Sequence, residues 1–243
     1  MRLKGDFHTH TTYTHGKGTI EDSVRQAENL GLDAIAITDH AYKSNYPIKK
    51  GDLDKMRQDI EAIKDRYKPK ILLGLEVNII SRNGDIDVSD EELSELDLVI
   101  LSIHKFTKVG AREFLGWILP NLLSRKPSKR QIAINTQAYI NAMDKHRVSI
   151  LGHLNYANAY VDCEVLAKEC ARRGIYIELN GKRINFSRED MEKMLQTDVK
   201  FIINSDAHEP FNVGKNHRAF NLIEKYKIPL DRIVNLNEVP KFN

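Results

Sequence analysis

Long hydrophobic runs are missing from this chain of 243 residues. Its apolar stretches, such as DAIAI and LDLVILSI, fall far short of the roughly 20 residues that a bilayer-spanning helix needs, which excludes a helical membrane protein. The start, MRLKGDFH, lacks the apolar core of a secretory signal, so the expected compartment is the cytoplasm. Cysteine is scarce, with only Cys163 and Cys170 present. They lie seven apart in VDCEVLAKECARRG, which reads as helix. Two helical turns put their Cα atoms about 10 Å apart, beyond the roughly 7 Å reach of a disulfide. Free thiols in a reducing compartment follow. A large charge of one sign is absent too, the formal net charge being +3, so no polyanionic partner is implied by charge alone. The charge is uneven, however. From Lys105 to Arg130 seven Lys or Arg accompany one acid, Glu113, giving +6, so the remainder carries 3 − 6 = −3. The single tryptophan, Trp117, lies in that basic segment. No repeat, low-complexity tract or Ser/Gly linker interrupts the chain, and residues 1–243 read as one domain.

What is present is a soluble, globular composition, 41% hydrophobic and 29% charged. Short apolar runs rich in Ile, Val and Leu alternate with amphipathic stretches. The runs are LKGDFH, DAIAITDH, KILLGLEV, LDLVILSIH, VSILGHL, IYIELN and VKFIINSDAH, which predict seven strands. Helical patterns fall between most of them, over 20–30 closed by Gly31, 52–67 closed by Pro69, 131–146, 163–173 closed by Gly174, and 188–196. Strands that are apolar throughout and separated by helices indicate a parallel sheet buried on both faces. The spacing fits a (β/α) barrel of about seven strands, with a doubly wound open sheet as the competing arrangement. The irregular segment KFTKVGAREFLGWILPNLLSRKPSKR is either an excursion packed on the barrel or a lid over a site.

The stretch DFHTHTTYTHG places three histidines, His8, His10 and His15, within eight positions. By itself this is either a metal site or a polar strand end. Position along the chain decides between them. His8 and His10 end the first run, His40 ends the second, His104 the fourth and His153 the fifth, while His208 follows the seventh. Glu76 ends the third run, and Asp206 sits two before His208. In a parallel barrel the C-terminal strand ends converge on one face, where such enzymes build their active sites, and independent core histidines have no reason to share that address. His146 and His217 lie elsewhere and read as surface residues.

Imidazole and carboxylate together suit zinc, manganese or iron better than magnesium or calcium. Seven histidines and two carboxylates exceed what one ion can bind, so two or three ions are implied, with Glu76 the natural bridge. A closed structural zinc site would usually employ cysteines, and neither cysteine here is near a ligand.

Taken in order, HTH with His15 following, TDH, the glutamate of GLE, SIH, GH and SDAH resemble the motifs of the PHP (polymerase and histidinol phosphatase) superfamily. The chain looks closest to its small stand-alone phosphatases and metal-dependent phosphoesterases. The resemblance runs over nearly the whole chain, and RNGDID and NTQAYI are also similar to those members. It implies a distorted, TIM-barrel-like (β/α)7 barrel and a trinuclear centre. One ion would be held by His8, His10, Glu76 and Asp206, a second by Glu76, His104 and His153, and a third by His15, His40 and His208. Zinc is the first expectation, with manganese or iron as alternatives. Two departures bear on substrate choice: ELNGKRINFS stands where small relatives carry an Asn/Ser-rich turn, and GHLN lacks the proline that usually follows the histidine.

Three divalent ions bring +6 and the two carboxylates −2, leaving about +4 in a cleft that attracts an anion. Closely spaced ions acidify a shared water, deliver it as hydroxide and stabilise both oxygens of an in-line phosphoryl displacement. The expected catalytic residues are therefore Glu76 as the bridge, with Asp39 and Arg183 in support. Asp6 and Asp39 are each placed to accept the second N–H of a ligand histidine, with a turn cap as the alternative for Asp39. Lys182 and Arg183 follow the sixth strand on the correct face to clamp phosphate, Arg183 being preferred for its planar fork, with a solvated loop charge as the plainer reading. The favoured function is hydrolysis of a small phosphomonoester, histidinol phosphate being one candidate. The alternatives are a nuclease or nucleic-acid-end phosphoesterase using the basic segment, and a non-catalytic metal-binding module. An amidohydrolase-type C–N hydrolase is a weaker variant, since those enzymes often use a lysine-derived bridge where this chain has Glu76. Nucleic acid is not the favoured partner and no membrane is expected.

Overall fold

The computed structural model describes residues 2–123 and 128–242. Within them seven parallel strands pair in sequence order: β1 (Gly5–Asp6), β2 (Ala34–Ile37), β3 (Lys70–Asn78), β4 (Leu98–Ser102), β5 (Ile150–Leu151), β6 (Tyr176–Asn180) and β7 (Phe201–Asn204). Helices follow each strand: α1 (Ile20–Asn29), α2 (Asp52–Ile63), α3 (Asp90–Ser94), the short α4 (Ala111–Glu113) and α5 (Leu119–Leu123), then α6 (Lys129–Lys145), α7 (Cys163–Arg173), α8 (Arg188–Leu195) and α9 (His217–Tyr226).

The sheet curls into a nearly closed barrel, so the open-sheet alternative does not hold. Thr9 bridges Ala207 in parallel, with His10 N donating to Ala207 O at 2.8 Å and Ala207 N to His8 O at 3.3 Å. These bonds draw together the C-terminal ends of β1 and β7. Lower in the barrel the seam is stitched by Asn235, whose fully buried side chain donates to Gly5 O (3.0 Å) and Ile203 O (2.7 Å) and accepts from Ile203 N (3.0 Å). The sequence pattern carries no sign of this segment, since one asparagine does its work through contacts 32 and 230 residues away.

Alternate strand residues enter two separate cores, as a period of two requires. Ala34, Ala36, Leu72, Leu98, Ile100, Ile150 and Ile202 join Phe7 in a small cluster, whereas Ile35, Ile37, Leu73, Leu75, Val99, Leu101 and Ile203 join the large one that includes the apolar helix residues. Along the positions that continue the first set at a period of two, chemistry changes toward the C-terminal ends. Leu72 gives way to Glu76, Ile100 to Ser102 and His104, Tyr176 to Glu178 and Asn180, and Ile202 to Asn204 and Asp206.

The helices form where local chemistry favours them. Thr19 and Asp22 make a reciprocal capping box at α1, which buries Ile20, Val24 and Ala27 along one stripe. Ser187 and Asp190 cap α8 in the same way. Asp162 caps the start of α7, and Gly174 closes its end at φ 70°, a conformation glycine adopts without strain. The helix expected over 131–146 starts earlier, at Lys129, because Ser128 caps it. The basic segment is an excursion packed on the barrel: Trp117 is fully buried and donates through Nε1 to Asn135 of α6 at 2.8 Å. Asn135 also exchanges hydrogen bonds with Asn121, so the NTQAYI motif anchors the excursion. Four residues of that segment, 124–127, lie outside the described residues. Cys163 and Cys170 are buried free thiols, and among the described residues no helix is long and apolar enough to cross a membrane.

Candidate metal centre

The seven histidines and two carboxylates picked out above meet at the C-terminal mouth of the barrel. Glu76 is their hub, fully buried at the end of β3. Its two oxygens face different partners. Oε1 lies 2.7 Å from His153 Nε2 and 3.2 Å from His104 Nε2. Oε2 lies 2.8 Å from His40 Nδ1, 3.4 Å from His8 Nε2 and 3.5 Å from His10 Nε2. Asp206 reaches His10 Nε2 at 3.5 Å and His208 Nδ1 at 3.3 Å.

Gly152 makes room for this hub. A Cβ there would stand 2.5 Å from Ser102 Oγ, and that hydroxyl donates to Glu76 Oε1 at 3.0 Å. Two candidate ligands sit on strained backbone, His153 at φ 22° and Asp206 at φ 53°. Left-handed conformations at non-glycine residues cost on the order of 1–3 kcal/mol and concentrate at functional sites.

The donor set fits divalent ions. His8 Nε2, both ring nitrogens of His10, His15 Nδ1, His40 Nδ1, His153 Nδ1 and Glu76 Oε2 are buried with no hydrogen-bond partner. Polar atoms so placed are expensive unless a ligand completes them. Ligand atoms within 4.8 Å of one another form three sets: His8, His10 and Glu76; His40, Glu76 and His104; and His10, His40 and His208. His15 stands just outside the last set, its ring stacked on His40 at 5.1 Å between centroids and edge-on to His208 at 4.2 Å.

The electrostatics divide the histidines: although burial opposes it, Glu178 and Glu76 hold His8 well above its ordinary value and Glu76 raises His153, whereas His10, His15, His104 and His208 are pushed down toward the neutral form. Burial, followed by repulsion from His208 and His40, lowers His15 to about 4. Burial outweighs the attraction of Asp206 and lowers His208 to about 4 as well. His10 is held well below its ordinary value, first by burial and then by His40. Burial opposes charge on Glu76, but His104, His40, His8 and His153 together hold its carboxyl well below the usual range.

Around the ligands, two expectations need correction. Among the described residues, Asp6 and Asp39 take no histidine ring N–H. Asp6 accepts from the backbone N–H groups of Ser205 (3.0 Å) and Gly214 (2.8 Å), pinning the loop after β7. Asp39 accepts from Thr11 N (2.8 Å), Thr11 Oγ1 (2.6 Å) and the Thr14 hydroxyl, so it caps the turn that carries His15 and does not reach the reacting cleft. The orienting role falls to residues that the sequence reading passed over. Glu178 faces His8 Nδ1 at 2.7 Å. Asn78 Oδ1 faces His104 Nδ1 at 2.7 Å, and Asn78 is held by the buried carboxylate of Asp87. A lone acidic residue inside IYIELN was the available signal for Glu178. His146 differs too: it is half-buried and pairs with Asp90, whereas His217 is exposed at the start of α9.

Lys182 and Arg183 line the mouth together with Tyr156. Both backbone N–H groups donate to Asn180 Oδ1 at 2.9 Å, which fixes their turn. Lys182 Nζ lies 3.1 Å from His208 Nδ1, and the Arg183 guanidinium stacks over the Tyr156 ring at 4.6 Å. The cleft measures about 100 Å³. A larger groove of about 650 Å³ between α6, α7 and α8 contains no histidine.

A parallel barrel with a histidine and carboxylate cluster at its C-terminal mouth defines a class of protein suited to hold metal. Comparison with known proteins is specific: the PHP domain model matches residues 6–182, and the chain belongs to that family. A probable phosphatase of Thermoanaerobacter sp. (strain X514) is 31% identical over 97% of this chain and 91% of its own length. One from Clostridium acetobutylicum is 26% identical over 98% and 92%. Among solved structures, histidinol phosphate phosphatase from Lactococcus lactis, complexed with zinc, L-histidinol and phosphate, superposes with a TM-score of 0.60 at 18% identity, covering 93% of this chain and 94% of that one. At that identity the likeness carries the fold.

Proposed function

We propose that this chain is a metal-dependent phosphatase that hydrolyses a small phosphomonoester at a centre of three divalent ions. The division of Glu76 between two groups of histidines carries the reading, because Oε1 faces His104 and His153 while Oε2 faces the unpartnered nitrogens of His8, His10 and His40, as a bridging ligand would. His8, His10, Glu76 and Asp206 would hold one ion, Glu76, His104 and His153 a second, and His15, His40 and His208 a third. Zinc suits these ligands, as do manganese and iron. When bound, the ions would supply Lewis-acid charge and activate water toward phosphorus.

The chain's own residues supply the rest. Lys182 and Arg183 present two cations at the mouth, and no carboxylate among the described residues pairs with Arg183, which leaves its fork free for phosphate oxygens. Histidines kept neutral at pH 7 offer lone pairs without a proton to displace. A cleft of about 100 Å³ admits a phosphoryl group and little more, far below the roughly 300–1,000 Å³ of pockets that enclose a drug-sized ligand. The leaving group therefore lies across the rim. Histidinol phosphate is one candidate on this reading.

A nucleic-acid end is the second reading, favoured by one feature of the rim. Tyr46, 55% exposed, lies on the His15 ring, and Phe106, 64% exposed, follows His104 by two residues beside Lys105 and Lys108. Exposed rings next to cations can stack bases. Elemental analysis together with turnover of a panel of phosphorylated metabolites, and oligonucleotide binding measured against salt, separates the two. About three transition-metal ions and saturable release of phosphate from one metabolite support the first reading. Magnesium alone, or a single ion per chain, overturns the three-ion centre. Steeply salt-dependent oligonucleotide binding with removal of terminal phosphate replaces the first reading with the second.

A further inference from the structure

Glu178 lies fully buried on β6 and receives four donors on two oxygens. Oε1 takes the Nδ1–H of His8 at 2.7 Å and Asn204 Nδ2 at 3.0 Å. Oε2 takes the backbone N–H of His153 at 2.8 Å and Asn180 Nδ2 at 2.9 Å. We propose that Glu178 is a positioning residue that serves two ion sites at once, setting the tautomer of His8 and the backbone of His153. The inference rests on the three-ion reading above, in which His8 and His153 belong to different ions that share Glu76.

With a proton held on Nδ1 by Glu178, Nε2 is the nitrogen His8 would offer an ion, and it is the one 3.4 Å from Glu76 Oε2. A carboxylate behind an imidazole also raises its basicity as a ligand. On the other oxygen the bond to His153 N holds a residue whose φ of 22° the backbone would not choose unaided. His153 Nε2 then meets Glu76 Oε1 at 2.7 Å. Asn204 and Asn180 complete the carboxylate and prevent it from rotating. Asn204 Oδ1 also accepts from Phe7 N at 3.0 Å, so the same group ties Glu178 to the strand that carries His8. None of these contacts reaches His15, His40 or His208.

Glutamine is the informative replacement, because its shape is retained and its donors cannot be accommodated. If the amide nitrogen faces His8, the ring must accept at Nδ1, and Nε2 gains the proton and ceases to be a ligand. Turned the other way, the amide nitrogen meets the N–H of His153. Either orientation disturbs a ligand.

The test is titration of metal-free protein with Co²⁺, following visible absorption and binding stoichiometry, for wild type, Glu178→Gln and Asn235→Ala. Asn235 hydrogen-bonds Gly5 and Ile203 and touches neither Glu178 nor a candidate ligand, so it controls for lost stability. Glu178→Gln is expected to bind two of its three ions about 10–100-fold more weakly, the usual effect of losing a group that orients a ligand, with the third ion unchanged and altered Co²⁺ spectra at the weakened sites. Asn235→Ala should keep all three affinities. Wild-type affinities and spectra in Glu178→Gln, or an equal loss at every site in both variants, overturn the positioning role. A wild type that takes up fewer than three ions overturns the three-ion reading. The comparison of the two proteins on the ions that do bind then still decides the role of Glu178.

Discussion

Replacing Asn235 should damage the barrel without touching its chemistry. Its side chain makes three hydrogen bonds across the seam between β1 and β7, two donated to Gly5 O and Ile203 O and one accepted from Ile203 N, with no exposure to solvent. Asn235→Ala strands all three backbone groups. A buried polar group left unpaired costs about 1–3 kcal/mol, so the low end for three is about 3 kcal/mol, a large share of the roughly 5–15 kcal/mol that stabilises a typical domain. At about 2–4 °C per kcal/mol for a chain of this size, the melting temperature should fall by about 6–12 °C. Asn235→Asp sharpens the argument. It keeps the acceptor for Ile203 N but sets a carboxylate against two carbonyl oxygens, so it should be worse than alanine although it is nearer in shape. Urea denaturation followed by Trp117 fluorescence measures both, since the only tryptophan is buried in the excursion on α6. A loss below about 1 kcal/mol for alanine, or a milder effect of aspartate than of alanine, would show that the seam does not depend on these bonds.

Glu76→Gln should fold, lose metal and have strongly depressed phosphatase activity, beside a His217→Ala control close to wild type. Wild-type turnover by Glu76→Gln would refute the bridging role. Arg183→Ala removes a charge-assisted contact of about 1.5–3 kcal/mol, which predicts a kcat/KM about 10–150-fold lower with metal content intact. Unchanged kinetics would make Arg183 a loop charge that only stacks on Tyr156. In the metal-free protein, His15 and His208 should titrate near pH 4 by NMR. Because the folded value lies below the ordinary 6.5, the unfolded chain binds the proton more readily, so each of these two groups weakens folding as pH falls from about 6.5 toward about 4. Titration of either ring near 6.5 would show that its surroundings do not oppose the charge.

Much of the fold was legible because parallel strands buried on both faces leave unbroken apolar runs, and all seven runs contain a strand. All but β3 run shorter than their apolar patterns, β1 and β5 being two residues each. Helices with a capping residue and a closing glycine, such as α7, were legible to within a residue or two. By contrast α9 passed unseen although it is amphipathic, since no capping side chain marks its start.

The candidate ligands were legible for a different reason. All but His15, which lies in the loop nine residues after β1, sit near the C-terminal end of a strand, and the barrel's geometry converts that position along the chain into one location in space. What the amino-acid sequence determined by itself was therefore the order of the strands and the types of the candidate ligands. Only the tertiary structure decided which buried carboxylate does what. Asp6, Asp39, Asp87 and Glu178 are all buried acids close to the ligands in sequence or in space, and local pattern cannot separate them. A hydrogen bond is set by distances of about 3 Å between atoms, here between residues as far apart as Glu178 and His8 or Asn235 and Gly5, whose neighbourhood comes into being only when the barrel closes.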